Sequence, residues 1–239
     1  MKSTVILVHG AFADSSSWDG VIAPLTRLGH TVVAFANPLR GVATDAALLT
    51  DLVSSVDGPI VLVGHSYGGA VTTNVDASGA DVVGLVYVAG FALSPGESCG
   101  DASALTPGST LGDTLAPVPL AGGGSDLYIT QEKYHHQFAA DLSPELAATM
   151  AVTQRPVTQA ALFEPSGDHP LWRDVPSWFV FGELDRNIPA AAHHLMADRA
   201  GARRTLEVPG ASHVVGISHP DQTVELILQA VGANVGSTT

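Results

Sequence analysis

The stretch VLVGHSYGGAV, residues 61–71, places a serine between glycines directly after an apolar run. Its centre, from Gly64 to Gly68, fits the pattern G-x-S-x-G, in which the serine lies on a sharp turn from a strand to a helix. The apolar run predicts a buried strand, and the small residues after Tyr67 favour a helix that packs closely. Ser66 is therefore a candidate nucleophile, provided that the rest of the chain supplies the partners it needs.

The apolar runs along the chain are rich in β-branched residues and continuous rather than alternating, which is typical of parallel strands buried on both faces. The predicted strands cover residues 4–8, 31–36, 59–64, 82–90, 177–182 and 204–210. The stretches with helical spacing between them are 15–29, 41–56, 67–79, 189–201 and 218–232. Strand alternating with helix predicts an α/β fold with a doubly wound, mostly parallel sheet of six strands.

One interval, residues 91–173, interrupts this alternation. It contains no convincing strand, and a loop rich in Gly, Pro and Ser over 94–125 precedes three predicted short helices near 131–140, 143–154 and 156–163. The interval is too long for an ordinary connection between two strands of one sheet. We therefore expect a single domain, residues 1–239, with a small helical cap inserted over about 94–173.

Composition argues against several classes of partner. Ten basic and 23 acidic residues give a net charge of −13 without any Lys/Arg cluster, so neither nucleic acid nor a membrane surface is expected to bind. No signal-peptide core is found near the amino terminus, and Cys99 is the only cysteine. We therefore expect a cytoplasmic protein without an intramolecular disulfide. The scattered histidines predict no metal site, and no organic cofactor is implied.

A serine is a poor nucleophile unless a base takes its proton and a third group orients that base. Asp185 lies three residues past the glycine that ends the fifth predicted strand, whereas Glu183 is nearer the strand end and Asp174 precedes the strand. His213 follows the last strand at its carboxyl end, and none of the nine other histidines does so. Ser66, Asp185 and His213 are therefore the predicted catalytic triad, in the order Ser, Asp, His.

Acyl transfer also requires two backbone N–H donors for the developing oxyanion. One is expected from Tyr67, the residue after the serine. The other is expected from the loop HGAF after the first strand, where Ala11 is favoured over Phe12 as the donor, although the sequence does not settle the choice. For contact with the substrate we expect Phe12, Phe138 and Leu162.

Taken together, the loop HGA, the turn GHSYGG, the acid loop GELD and the histidine loop GASH resemble the α/β-hydrolase superfamily, in particular its compact esterase-like branch. The resemblance extends from Val5 to about Ala230. It implies Ser66 as the nucleophile, Asp185 as the acid and His213 as the base, with a substrate pocket between the sheet and the cap.

A few positions separate the reactions found within that superfamily. Ser66 argues against dehalogenase chemistry, for which similar proteins use an Asp. Gly10 and Val214 stand where hydroxynitrile lyases carry Thr and Lys, and Tyr67 stands where cofactor-free haloperoxidases usually carry Met.

We expect a serine hydrolase that cleaves small to medium apolar carboxylic esters through an acyl-enzyme on Ser66. Three questions stay open: whether the same triad instead cleaves a lactone, an amide or a C–C bond, whether the protein is a non-catalytic ligand-binding member of the fold, and which oligomeric state it forms.

Overall fold

A computed structural model describes residues 2–233, which form nine β-strands, ten α-helices and three short 3-10 helices. The strands are β1 (Thr4–Val8), β2 (Thr31–Phe35), β3 (Pro59–His65), β4 (Asp81–Val88), β5 (Leu115–Pro119), β6 (Ser125–Ile129), β7 (Val157–Thr158), β8 (Ser177–Gly182) and β9 (Arg204–Val208). The α-helices are α1 (Asp19–Arg27), α2 (Val42–Ser54), α3 (Tyr67–Thr73), α4 (Cys99–Ser103), α5 (Gln131–Phe138), α6 (Pro144–Thr153), α7 (Gln159–Phe163), α8 (Ala190–Arg199), α9 (Val215–Ser218) and α10 (Pro220–Ala233). The 3-10 helices are Ser15–Trp18, Leu111–Thr114 and Leu171–Arg173.

Six strands form one sheet in the order β2-β1-β3-β4-β8-β9, and every neighbouring pair is parallel. The interior strands β1, β3 and β8 are buried along their whole length, whereas the edge strands β2 and β9 are partly exposed. Burial on both faces explains why the interior strands appear in the sequence as continuous apolar runs. The predicted α/β fold with a six-stranded parallel sheet is confirmed.

The chain reverses its direction across the sheet at β1, which has β2 on one side and β3 on the other. Because crossovers between parallel strands are right-handed, this reversal puts α1 and α2 on opposite faces of the sheet. Helix α1 packs against α10, which covers β4 and β8, and α2 packs against α3. In sheets of this kind, ligands bind in the crevice at the carboxyl ends of the strands.

The segment between β4 and β8 is mixed rather than purely helical. Its predicted helices near 131–140, 143–154 and 156–163 correspond to α5, α6 and α7. The expectation that it contains no strand is wrong, because β5, β6 and β7 form a small antiparallel sheet. Pro117 and Pro119 obscure β5 in the sequence, since proline is tolerated in a sheet only at an edge, where β5 lies. The single domain and the cap bounds of about 94–173 stay predictions.

Candidate active site

Ser66 occupies the turn between β3 and α3. Its φ of 52° and ψ of −122° are strained for a residue other than glycine, as expected where a side chain is turned out of the strand direction. A Cβ on Gly64 would lie 2.6 Å from the Cα of Gly69. A Cβ on Gly68 would lie 2.3 Å from the carbonyl oxygen of Val8. The turn therefore depends on glycines that let α3 approach β3 and β1 more closely than any side chain allows.

Asp185 and His213 form a buried pair beyond the carboxyl ends of β8 and β9. His213 Nδ1 lies 2.7 Å from Asp185 Oδ2, and neither side chain is exposed to solvent. Because an ionised carboxylate only accepts hydrogen bonds, Nδ1 carries the proton of the neutral imidazole and Nε2 carries a lone pair. Nε2 of His213 is buried and has no hydrogen-bond partner within residues 2–233, so it can accept a proton.

The Asp185 carboxylate is held at both oxygens. Oδ1 accepts hydrogen bonds from the backbone amides of Asn187 at 2.8 Å and Ile188 at 3.0 Å. Oδ2 accepts from His213 and also, at 3.3 Å, from Nε2 of His193. Burial raises the pKa of Asp185, but the charge of His213 and the hydrogen bonds from both histidines outweigh it and hold the pKa below its ordinary value. Asp185 is therefore ionised at neutral pH.

The serine turn and the histidine loop meet at His65, the residue before Ser66. His65 Nε2 lies 3.2 Å from the carbonyl oxygen of His213, and the two imidazole rings are 4.9 Å apart. Burial and then the nearby His213 lower the pKa of His65 to about 3, so its ring is neutral and acts as a spacer between the two loops. A Cβ on Gly182 would lie 2.3 Å from the carbonyl oxygen of Ala211, so the histidine loop rests directly on the end of β8.

A cavity of about 190 Å³ adjoins Ser66. Its walls include six of the predicted site residues: Ala11, Phe12, Ser66, Tyr67, Phe138 and Leu162. Among the described residues that line it, none is Asp, Glu, Lys or Arg. The Cys99 thiol also lines the cavity, but burial and then the neighbouring Glu97 raise the pKa of Cys99, so the thiol stays protonated and unreactive.

The two candidate donors in the HGAF loop differ in what their amides already contact. The Phe12 amide donates to the carbonyl oxygen of Arg155 at 3.0 Å, which favours Ala11, the donor that the sequence already ranked above Phe12. The amides of Ala11 and Tyr67 have no acceptor among residues 2–233, and Tyr67 begins α3, where an amide has no partner within its own helix. Ala11 and Tyr67 are therefore the pair left to donate.

Three polar side chains contact the candidate site but lie in none of the motifs: Asp45, Tyr134 and His193. The Asp45 carboxylate accepts a hydrogen bond from the Tyr67 hydroxyl at 2.9 Å, and the Tyr134 hydroxyl donates to the Phe12 carbonyl at 2.7 Å. His193, on α8, donates to the predicted acid. Helical spacing could show that these residues face the interior, but no local pattern indicates which loop each one reaches.

The described residues include neither a candidate metal centre nor a candidate membrane span. Over residues 2–233, no group of three or more His, Cys, Asp or Glu side chains is arranged to hold a metal ion. Each helix in that range is too short or too polar to cross a bilayer.

Comparison with known families agrees with the observed fold. The sequence model described as "Alpha/beta hydrolase family" matches residues 5–226. The chain belongs to the alpha/beta hydrolase family. Alpha/beta hydrolase nvfD of Aspergillus novofumigatus (strain IBT 16806) is 24% identical to it over 254 residues, which cover 97% of this chain and 98% of the relative.

Solved structures of an esterase and of a hydrolase share the fold of this alpha/beta hydrolase. Polyneuridine aldehyde esterase has a TM-score of 0.81 at 17% identity, with 97% of this chain and 100% of that chain covered. A pyrethroid hydrolase from Sphingobium faniae JZ-2 has a TM-score of 0.76 at 19% identity, with 98% of this chain and 99% of that chain covered. The segment between β4 and β8 is thus included in the similarity, since the aligned regions cover nearly the whole chain.

Proposed function

We propose that this alpha/beta hydrolase is a serine carboxylic-ester hydrolase that acts on small to medium apolar esters through an acyl-enzyme on Ser66. The observation that carries the proposal is the buried Asp185–His213 pair beside a strained serine turn that opens into a cavity. Among residues 2–233, Nε2 of His213 has no hydrogen-bond partner and no charged side chain lines the cavity. The names of two structural neighbours, polyneuridine aldehyde esterase and a pyrethroid hydrolase, support a hydrolytic reaction.

In the first half of the proposed reaction, Ser66 Oγ attacks the ester carbonyl carbon while Nε2 of His213 takes the hydroxyl proton. The ionised Asp185 stabilises the imidazolium that forms and keeps the ring in the required orientation. The amides of Ala11 and Tyr67 donate to the oxyanion, and each donor of this kind is typically worth about 10²–10³ in rate. The imidazolium then gives its proton to the departing alkoxide, so an alcohol leaves and Ser66 is acylated.

In the second half, water replaces the alcohol. His213 takes a proton from a water molecule as its oxygen attacks the acyl carbon, and the oxyanion again lies between the two backbone amides. Collapse of this intermediate breaks the bond to Ser66 Oγ, which regains its proton from His213, and the carboxylic acid is released. The cycle therefore requires no redox partner and leaves every residue in its initial state.

The cavity favours an uncharged ester with a short acyl chain. Phe12, Phe138 and Leu162 offer apolar contact, and a charged substrate would lose its hydration without gaining an ionic partner. We expect a higher kcat/KM for p-nitrophenyl butyrate than for p-nitrophenyl decanoate. The opposite order would contradict the proposed substrate class without contradicting the role of Ser66.

A fluorophosphonate probe followed by peptide mass spectrometry tests the nucleophile. The adduct is expected on Ser66, absent from Ser66→Ala, and retained in Ser103→Ala, a control that removes another serine lining the same cavity. An adduct on a different residue would contradict the proposal.

A substrate panel then separates reactions that share one nucleophile. Lactones, anilides and β-diketones are compared with the butyrate ester, and the ester is expected to have the highest kcat/KM. A wild-type protein that cleaves none of them, and whose Ser66→Ala variant binds ligands equally well, would instead indicate a ligand-binding member of the family.

A further inference from the structure

Phe12 has a left-handed backbone conformation, with a φ of 61°. This region is strained for a bulky side chain, and such a conformation persists only where the surrounding structure enforces it. Phe12 shares a peptide group with Ala11, whose own amide is the proposed second oxyanion donor. The Ala11 N–H itself belongs to the preceding peptide group, Gly10–Ala11, which joins the Ala11–Phe12 group at the Ala11 Cα. The direction of the Ala11 N–H is therefore coupled through that Cα to the peptide groups on either side of Phe12.

The cap holds both polar groups of Phe12. Its amide donates to the carbonyl oxygen of Arg155 at 3.0 Å, and its carbonyl oxygen accepts from the Tyr134 hydroxyl at 2.7 Å. Tyr134 lies on α5, is fully buried and has its ring 5.0 Å from the ring of Phe138. It is not among the residues that line the cavity beside Ser66. Among the described residues, the Tyr134 hydroxyl therefore contacts the site through the Phe12 carbonyl.

We infer that Tyr134 is a positioning residue of this hydrolase, whose hydroxyl keeps Phe12 in its left-handed conformation and thereby aims the Ala11 amide at the oxyanion. The inference rests on the proposed ester hydrolysis. Without the hydroxyl, the Phe12 carbonyl loses its partner and the strained residue can relax toward a negative φ. As the loop readjusts to that rotation, the Ala11–Phe12 peptide group shifts and, through the Ala11 Cα, turns the Ala11 N–H away from the reacting carbonyl, although the triad itself is untouched.

The matched pair Tyr134→Phe and Tyr87→Phe isolates this effect. Tyr87 is also buried, its hydroxyl lies 2.9 Å from Thr73 Oγ1, and its ring stacks on Phe179 at 4.7 Å. Each substitution keeps an aromatic ring and deletes one buried hydroxyl hydrogen bond. Both variants are expected to fold and to lose similar thermal stability, but only Tyr134→Phe releases the HGAF loop.

Hydrolysis of p-nitrophenyl butyrate gives the first measurement. Complete loss of an oxyanion donor typically costs about 10²–10³ in rate, and a misdirected donor loses part of that, so kcat of Tyr134→Phe is expected to fall about tenfold. KM is expected to change by a smaller factor than kcat, because the Ala11 amide contacts the transition state whereas Phe12 supplies only part of the apolar contact with the bound ester. Tyr87→Phe is expected to keep the wild-type kcat.

A butyl trifluoromethyl ketone gives the second measurement, because Ser66 adds to it and forms a tetrahedral oxyanion in the same two-amide site. Its inhibition constant is expected to rise in Tyr134→Phe by about the factor by which kcat falls, and to stay unchanged in Tyr87→Phe. A purely structural role of Tyr134 would not change the affinity for this inhibitor relative to the control.

The outcomes separate this inference from the proposed function. If the wild type hydrolyses the ester but the two variants have the same kcat, or if ketone inhibition of Tyr134→Phe is unchanged, the positioning role is overturned and ester hydrolysis stands. If the wild type hydrolyses no ester and a fluorophosphonate does not label Ser66, the proposed function fails and the positioning role fails with it.

Discussion

Substitution of Gly68 by alanine tests whether the serine turn depends on close approach between α3 and β1. A Cβ at this position would lie 2.3 Å from the carbonyl oxygen of Val8 and 2.9 Å from that of His9. Both neighbours are backbone atoms, so neither can rotate away as a side chain would. To relieve this steric overlap, α3 would have to move away from the sheet by about 1 Å. The protein interior is packed as densely as an organic crystal, so it leaves little room for this movement.

The expected change in the free energy of unfolding is the difference between two opposing contributions. Alanine stabilises a helix interior by about 1 kcal/mol relative to glycine. Forcing an extra methyl group into a filled interior typically costs about 1–3 kcal/mol, and rigid neighbours favour the upper end of that range. We expect Gly68→Ala to lower the free energy of unfolding by about 2 kcal/mol, and Tm by about 4–8 °C for a chain of this size. Because a misplacement of about 1 Å can reduce catalysis 10²-fold, kcat/KM should fall by about that factor.

Gly232→Ala is the matched control, because Gly232 is also helical but the described residues place nothing within 4 Å of its Cβ. Thermal unfolding and p-nitrophenyl butyrate hydrolysis are measured for both variants. Gly232→Ala is expected to be as active as the wild type and up to about 1 kcal/mol more stable. The reasoning is refuted if Gly68→Ala matches this control in both Tm and kcat/KM.

Three further predictions concern buried groups around the site. Asp185→Asn keeps the side-chain shape but favours the wrong imidazole tautomer, so kcat for the butyrate ester should fall by about 10⁴-fold, and a loss below tenfold would argue against the triad. Burial, as the largest cause, lowers the pKa of three histidines: His9, His65 and His193. The unfolded chain therefore binds these protons at a higher pH than the folded chain does. Urea unfolding between about pH 7 and 5 should show a free energy of unfolding that decreases as the pH falls, by at most about 1.4 kcal/mol per pH unit for each histidine, and a flat profile would contradict the lowered pKa values. Asp45→Ala leaves the buried Tyr67 hydroxyl without its acceptor and should destabilise the protein by about 1–3 kcal/mol in the same assay, with no change as the contrary result.

The parallel sheet could be predicted from sequence because its buried strands are continuous apolar runs. The prediction exceeds the observed strand where apolar residues continue into loops, as in 82–90 against Asp81–Val88. Residues 89 and 90 are buried for a different reason, since they lie under the serine turn. A Cβ on Gly90 would lie 2.6 Å from the carbonyl oxygen of Gly64. Burial alone therefore does not mark the end of a strand.

The small sheet of the cap could not be predicted, because tertiary pairing rather than local pattern forms it. Strand β5 includes Pro117 and Pro119, and β7 has only two residues, Val157 and Thr158. Such short or proline-containing segments are extended here because β6 lies between them and pairs with both. The chain has no repeated apolar alternation there that would distinguish these strands from loops.

The candidate site was predictable to the extent that it depends on chain topology. Carboxyl ends of parallel strands share one edge of the sheet, so an acid and a histidine that follow two strands were expected near each other, and Asp185 and His213 are in hydrogen-bond contact. The choice between Ala11 and Phe12 was not predictable, because the acceptor that occupies the Phe12 amide belongs to the cap. The contact between His193 and Asp185 was missed because it joins a helix face to a loop, and no local sequence pattern indicates such a pair.

Helix α5 contacts three loops of the candidate site from one face. Tyr134, Gln137 and Phe138 have the i, i+3, i+4 spacing that places side chains on the same side of a helix. The Tyr134 hydroxyl donates to the HGAF loop at 2.7 Å, and Gln137 Nε2 donates to the Arg186 carbonyl, beside the acid, at 3.0 Å. The Phe138 ring lies 5.1 Å from the ring of His213. A movement of α5 would therefore disturb the HGAF loop, the acid loop and the histidine loop together.

This arrangement limits how a substrate can reach Ser66. If the cap opened by lifting α5, three loops would have to re-form in each turnover. Among the described residues, by contrast, neither α4 nor α7 makes a hydrogen bond to Asp185 or His213. Phe163, at the end of α7, lines the cavity and is 61% exposed. A Cβ on Gly100 would lie 2.6 Å from the Phe163 ring, so this ring rests directly on α4. Rotation of one exposed side chain widens the cavity there without displacing a helix, and we therefore expect esters to enter between α4 and α7 while α5 stays in place.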